Sequence, residues 1–377
     1  MLNRVIMIIM MAFAIVGAID RIRGNPKGYG EAFETGFHSM GSLALAVAAI
    51  YAASPILARI LKPLAGVLCE SFGADAGILP GILFASDMGG YALSCEMASS
   101  KAMANFGGLI LGTTIGSTWV FSIPVALSII QKEDQKFLAA GLLCGILTMP
   151  LGCFVGGCCM AMTPYALPVK EILVNILPVL FLAVLVGAGL WFLPRVMIRA
   201  FQILGRAITI LVTLLTVIAA FQQVTGIYIP FFDQMVTADE AGLTGLDRGL
   251  LLCGQIALVL AGAFPMVCYV TKHFSSALEK LGKRIGVNTA SSAGFLASVA
   301  NIIPMYAGMK DMDHKGKVLN AAFAAGGAFV LGDYLGFTAG VDSQMVLPVI
   351  AAKLTCGISA VVVAYFLFPI LEKRIME

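Results

Sequence analysis

Runs of about twenty apolar residues recur from one end of this chain to the other, and charge is confined almost entirely to the connections between them. A run of that length crosses the hydrocarbon of a bilayer as a helix. At that depth every backbone N–H and C=O must be satisfied inside the protein, so single spanning segments of this length read as α-helices. The segments fall at 5–20, 36–60, 77–98, 103–130, 137–162, 172–193, 205–226, 249–271, 289–309, 317–340 and 343–370. The fold class read from them is an all-α polytopic membrane protein with about eleven apolar segments. Met1 to Ile19 reads as an uncleaved first helix, because no small-x-small cleavage site closes it.

Only 12% of residues are charged and 59% are hydrophobic, where a soluble chain would carry about 25% charge. The net charge of +3 is weak, and no Lys/Arg block interleaved with aromatics appears, so nucleic acid is not expected as a partner. The nine Cys form no CxxC or Cys/His pattern and read as small buried hydrophobes. His38, His273 and His314 lie at segment ends and form no metal set, and no Walker loop or HExxH is present. No cofactor, metal or enzymatic activity is expected.

The chain repeats itself. Phe72-Gly73-Ala74-Asp75, Gly81-Ile82-Leu83 and Asp87-Met88-Gly89-Gly90 are followed later by Ile285-Gly286-Val287-Asn288, Gly294-Phe295-Leu296 and Asn301-Ile302-Ile303-Pro304. The offset is 213 at the glycines and 214 at Asp87/Asn301. Ile115-Gly116-Ser117-Thr118 matches Leu331-Gly332-Asp333-Tyr334, and Ala139-Ala140-Gly141 matches Ala351-Ala352-Lys353. The first half is read as 1–162 and the second as 163–370, with 205–226 an extra helix and 225–248 a polar, extracytoplasmic loop.

Orientation follows from Lys and Arg. If all eleven segments cross, the cations split 12 to 11 between the two sides, against the expected cytoplasmic excess. If 77–98 and 289–309 instead enter and leave on one side, 17 fall together. Arg4, Arg59, Lys62, Lys101, Lys170 and Arg248 are the 6 opposite them. That arrangement obeys the rule. It predicts broken or re-entrant helices near 77–98 and 289–309, inverted halves, an N-terminus outside and a C-terminus in the cytoplasm. Interrupted segments in matching positions of two halves mark the binding site in many carriers.

Asp87, Glu96, Asp333 and Asp342 lie inside apolar segments. A charge at mid-membrane costs about 2.5–3.5 kcal/mol on insertion scales and needs a partner, water or a cationic ligand. Asp87 beside Gly89 and Gly90 is the first choice for pairing with a substrate ammonium, and Asp333 the second. Either acid also fits a plain structural anchor, and Lys353 fits an internal counter-charge. Asn301 with Pro304 marks the second break, where the amide fits a ligand hydroxyl or the freed backbone equally well. Trp119 and Tyr334 flank the breaks, where an aromatic face would attract a cation. Helix packing explains either ring as well.

Several co-linear motifs carry a resemblance: Ser86-Asp87-Met88-Gly89-Gly90 with Glu96, Val120-Phe121-Ser122-Ile123-Pro124-Val125-Ala126-Leu127, and Pro265-Met266-Val267. Asn301 with Ile303-Pro304-Met305, Met312-Asp313 with Gly316-Lys317-Val318, and Leu331-Gly332-Asp333 with Leu335-Gly336-Phe337 extend it. Over nearly its whole length the chain resembles the ethanolamine permease family of bacterial ethanolamine-utilisation operons. The resemblance implies a multi-pass inner-membrane transporter importing ethanolamine, a small protonated amino alcohol, by alternating access around a midplane site. It carries over Asp87, Glu96, Asp313 and Asp333. Paired re-entrant hairpins imply, by analogy, a mobile unit in a homo-oligomer. The alternatives are an ion-coupled carrier of another small amine or solute and, remotely, an intramembrane aspartyl protease. The latter would need Gly where Val330 stands and a Tyr before Asp87.

Overall fold

A computed structural model describes residues 2–240 and 242–376. Met1 of the expected first helix and Ala241 of the expected acidic loop lie outside the described residues. All regular structure among the described residues is helical. Among the described residues eight helices are long and apolar enough to cross a membrane, against about eleven apolar segments in the sequence, of which 77–98 and 289–309 were expected to be broken. The difference arises where hydropathy sees a continuous apolar run but the backbone breaks inside it.

α1 (Leu2–Ile22), α2 (Tyr29–Glu70), α7 (Gln135–Cys159), α8 (Val169–Phe192), α9 (Pro194–Thr225), α10 (Gly245–Ile285) and α15 (Val346–Met376) are long and continuous. The 77–98 run instead divides into α3 (Ile78–Leu83) and α4 (Gly90–Met97), joined by an extended turn. The 289–309 run divides into α11 (Thr289–Ala300) and α12 (Ile302–Ala307) at Asn301. The 317–340 run divides into α13 (His314–Gly327) and α14 (Asp333–Asp342), separated by residues 328–332.

Each break has a local cause. Phe84 and Ala85 are extended and Gly89 takes φ 103°, a left-handed conformation that suits glycine. A Cβ at Gly89 would also collide with Ile50 of α2. Asn301 is extended, and its side chain accepts from the N–H of Ile303 (2.8 Å), which starts α12. Phe329 takes φ 58° despite its bulk. Its N–H and that of Leu331 donate to the carbonyls of Ser298 (2.9 Å) and Val299 (3.1 Å), so the non-helical strand is tied to the end of α11.

The helix facing the first hairpin is unusual in another way. From α5 (Lys101–Asn105) it continues through wide turns of π type, Phe106–Gly116 and Thr118–Ser122, into α6 (Ile123–Ile129). Four fifths of its apolar window is buried, against about a quarter for α1 and α9, so it is the axis of the bundle and they are its lipid-facing rim. Gly107 and Gly116 lie against the backbones of Gly77 and Phe84, leaving no room for a side chain. Thr113, Thr114, Ser117 and Thr118 hydroxyls each donate to the carbonyl four residues back, satisfying backbone that the wide turns loosen.

Small residues also set the long-helix packing. α2 runs antiparallel to α10: Gly36 meets Ala261, Ala48 meets Gly249 and Ala52 meets Gly245. α7 runs antiparallel to α15, with Thr148 beside Cys356 and Gly156 beside Ala352 and Pro348. α13 lies along α7 through Ala321 against Gly141 and Ala325 against Gly145. The crowding at the hairpin is testable. Gly81→Ala would drive its methyl into the Gly107 carbonyl and should destabilise the protein by about 1–3 kcal/mol. Gly41→Ala, in an open stretch of α2, should stabilise it by up to about 1 kcal/mol. Thermal unfolding in detergent measures both.

Candidate substrate cavity

The three breaks converge. Asp87 and Met88 from the first, Ile303 just past the second, and Phe329, Asp333 and Tyr334 from the third border one cavity of about 590 Å³. Ser39, Ser42 and Leu43 of α2, Phe121 and Val125 around α6, and Thr209 of α9 complete the wall. The volume far exceeds that of one small amine and is a normal size for a ligand site.

The polar groups in it are unevenly satisfied. The Oδ1 atom of Asp87 is buried and makes no hydrogen bond within the protein. Such an acceptor costs about 1–3 kcal/mol or more when unpaired, and a charged one costs most. Asp333 is the first residue of α14, where the helix dipole favours a negative charge. Tyr334 is buried, and its ring sits under the ammonium of Lys353, 4.7 Å from the ring centroid. Lys353 also donates to the Thr113 carbonyl (2.5 Å) and pairs with no carboxylate within 4 Å among the described residues. It thereby pins α15 to the wide turn rather than neutralising Asp87. Phe329 stands edge-on to both Phe121 (5.6 Å) and Tyr334 (5.7 Å). The cavity therefore offers two carboxylates, aromatic faces and the hydroxyls of Ser39, Ser42 and Thr209.

Not every sequence candidate reaches it. Asp87, Asp333 and Tyr334 line the cavity together. Gly89 and Gly90 shape the turn that presents Asp87, since a Cβ at Gly90 would meet the Phe84 and Ala85 carbonyls. Glu96 is exposed and lines a separate crevice of about 300 Å³ with Tyr51, Ser54, Gln234 and Arg248. Trp119 is buried and stacks on Phe201 of α9, with centroids 5.5 Å apart and planes 12° from parallel. Asn301 spends its side-chain oxygen on capping α12. Asp342 caps the turn that follows it and binds Asn105. Asp313 caps α13 and holds Ser291 of the second hairpin.

Phe121, Phe329, Ser39, Ser42 and Thr209, with Ser128 of α6, are among the cavity residues the sequence reading did not single out. Phe121 stands inside a quoted motif, and Phe329 follows Gly326-Gly327-Ala328 at a break. Nothing local marks the two serines or Thr209, which come from helices remote in the chain.

These features define an all-helical polytopic membrane protein with an acid-lined cavity among interrupted helices. The chain belongs to the family described as ethanolamine utilisation protein EutH, whose model matches residues 2–367. A protein of Listeria monocytogenes named probable ethanolamine permease EutH is 44% identical over 366 residues, covering 97% of this chain and 94% of that protein. The proteins of the same name from Salmonella typhimurium and Escherichia coli are 40% and 39% identical, each covering 98% of this chain and 96% of the relative. No solved structure matches the chain significantly.

An open cavity makes its wall reachable from water. Cysteine at position 42 should react with a small water-soluble methanethiosulfonate in the detergent-solubilised protein. Cys153, fully buried, should not. Mass spectrometry of labelled peptides reads both, and an inert Ser42→Cys would mean that the cavity is closed.

Proposed function

We propose that this chain is a bacterial inner-membrane permease that imports protonated ethanolamine, binding the ammonium between Asp87 and Asp333 and the hydroxyl at the serine and threonine side of the cavity. One observation carries the site assignment: Asp87, whose Oδ1 is buried without a hydrogen-bond partner, lines a cavity large enough for the substrate. A small organic cation supplies the missing partner. The Phe121, Phe329 and Tyr334 rings add attraction of about 0.5–2 kcal/mol for a cation on their faces. The family membership and the names of the relatives support the choice of amine.

The two halves, 1–162 and 163–370, are read as inverted repeats. Four features support this. The matching helices α2/α10 and α7/α15 are antiparallel. Gly73 (φ 67°) and Gly286 (φ 76°) follow α2 and α10, and the next N–H in each case, of Ala74 and of Val287, donates to the carbonyl five residues back (2.9 and 3.0 Å). Ser100 and Asp313, 213 residues apart, cap the helices that follow the hairpins. Gly81 packs on Gly107 as Gly294 packs on Asn320, with the same offset. Within this scheme α9 lies beside α2 as α1 lies beside α10. α8 is then the helix without a counterpart, rather than 205–226. An elevator-like motion in a homo-oligomer remains part of the proposal, by analogy with other carriers built on paired breaks.

Orientation rests on the 17-to-6 division of cations. It puts the N-terminus and loop 225–248 outside and the C-terminus in the cytoplasm. Ser39 and Ser128 of the cavity lie toward the Lys-rich side, so the cavity is read as opening inward. Glu96 and its crevice then face outward across α4.

Asp87→Asn should raise the ethanolamine concentration for half-maximal uptake by about 10–100-fold, from the loss of roughly 1.5–3 kcal/mol in a charge-assisted contact. Radiolabelled uptake into proteoliposomes tests it, with choline and alanine as competitors. Unchanged uptake by the variant would remove Asp87 from the site. For orientation, a thiol placed at Lys373 should be labelled by a membrane-impermeant maleimide in inside-out vesicles and spared in intact cells. The reverse pattern would invert the topology.

A further inference from the structure

A second cavity, of about 480 Å³, lies away from the breaks, where the start of α7, the α8–α9 corner and the end of α15 meet. Lys132, Lys136, Arg195 and Arg374 line it, with Glu133 the one acid in the wall. None of the four cations pairs with a carboxylate within 4 Å among the described residues. Lys136 donates to the Ile375 carbonyl (3.2 Å), and Arg374 donates to the Trp191 carbonyl while its guanidinium lies 4.0 Å from the Trp191 ring centroid. Two cations are thus fixed at the rim by the protein's own backbone and still lack a counter-ion.

The rest of the wall is apolar: Leu143 of α7, Leu190 of α8, Ile198 of α9 and Leu371 of α15. Below it, Gly187 of α8 packs on Leu147 of α7, and Leu147 is 40% exposed on the bundle's outer surface. The apolar track therefore continues along the seam between α7 and α8. Tryptophan at a helix end beside basic residues is the composition of the membrane–water interface. Basic pockets between helices at that level suit anionic lipid headgroups.

We propose that this cavity is a binding site for the phosphodiester headgroup of an anionic phospholipid. The headgroup sits among Lys132, Lys136, Arg195 and Arg374, and an acyl chain follows the α7–α8 seam. A free phosphate ion would account for the cations but not for the apolar track, so a lipid is the ligand chosen. Bound there, it bridges the start of α7, the α8–α9 corner and the end of α15, which the Lys136–Ile375 and Arg374–Trp191 hydrogen bonds already bring together.

The test uses the full chain, purified in detergent and stripped of lipid. Thermal shift and native mass spectrometry are recorded with phosphatidylglycerol, phosphatidylcholine or inorganic phosphate added. Phosphatidylcholine is the neutral reference because its headgroup is not the proposed transport substrate. Phosphatidylglycerol should bind and raise the unfolding temperature, while the other two should not. Lys132→Gln combined with Arg195→Gln should weaken phosphatidylglycerol binding about tenfold or more, and Arg195→Lys should retain most of it. Equal binding of the two lipids, or an equal shift with phosphate, would overturn the proposal without any variant. Undiminished binding by the folded double variant would overturn it as well.

Discussion

The structure depends on keeping irregular backbone satisfied at membrane depth. Three helices break near one another, and each break exposes N–H and C=O groups that hydrocarbon would not tolerate. The protein meets this by crossing the broken segments against each other and against a glycine-lined axis. Phe329 and Leu331 donate to the end of α11, Ser86 donates to the Gly108 carbonyl, and Ser94 donates to that of Gly77. Glycine recurs on the axis because carbonyls occupy the space a side chain would take. The cavity is a by-product of this solution: where the helices stop, neither backbone nor apolar side chains fill the space.

That origin explains the electrostatics. A carboxylate on a continuous lipid-facing helix would be expelled or neutralised. Asp87 instead sits on a turn that three other elements shelter, and Asp333 sits at a helix start whose dipole favours it. Lys353, the one cation buried nearby, is held by a backbone carbonyl and an aromatic ring. Asp134 is also buried, and its Oδ2 too has no hydrogen-bond partner, but its Oδ1 is ion-paired with Lys317 at 2.5 Å. The contrast lies in the ion pair: Asp134 has an ammonium within 4 Å and Asp87 has none among the described residues.

Much of the site was legible in the sequence. An acid in an apolar run beside paired glycines is a rare pattern, and the match of its surroundings to the segment around Asn301 and Pro304, 214 residues later, pointed to both breaks. Asp87, Asp333 and Tyr334 do meet. Trp119 and Asn301 were chosen for nearness to a break and Glu96 through the family resemblance, yet none of the three lines the cavity. Sequence proximity fixes the element but not the direction in which a side chain leaves it. Trp119 points to α9, and Glu96 stands at the far end of α4 from the turn at Gly89. The break within 317–340 was not expected, for a related reason. Mean apolarity is blind to a dihedral angle, and the non-helical segment 328–332 is as apolar as a helix.

The sequence by itself determined that this chain belongs in a bilayer, that its secondary structure is helical and where charge is affordable, because hydrocarbon imposes those rules on every segment separately. Only the tertiary structure decided which acid lacks a partner, that Phe329 and the serines of α2 share its cavity, and that four cations at three distant helix ends face one another. Those are relations between segments hundreds of residues apart, set by how glycine and alanine surfaces allow the helices to approach.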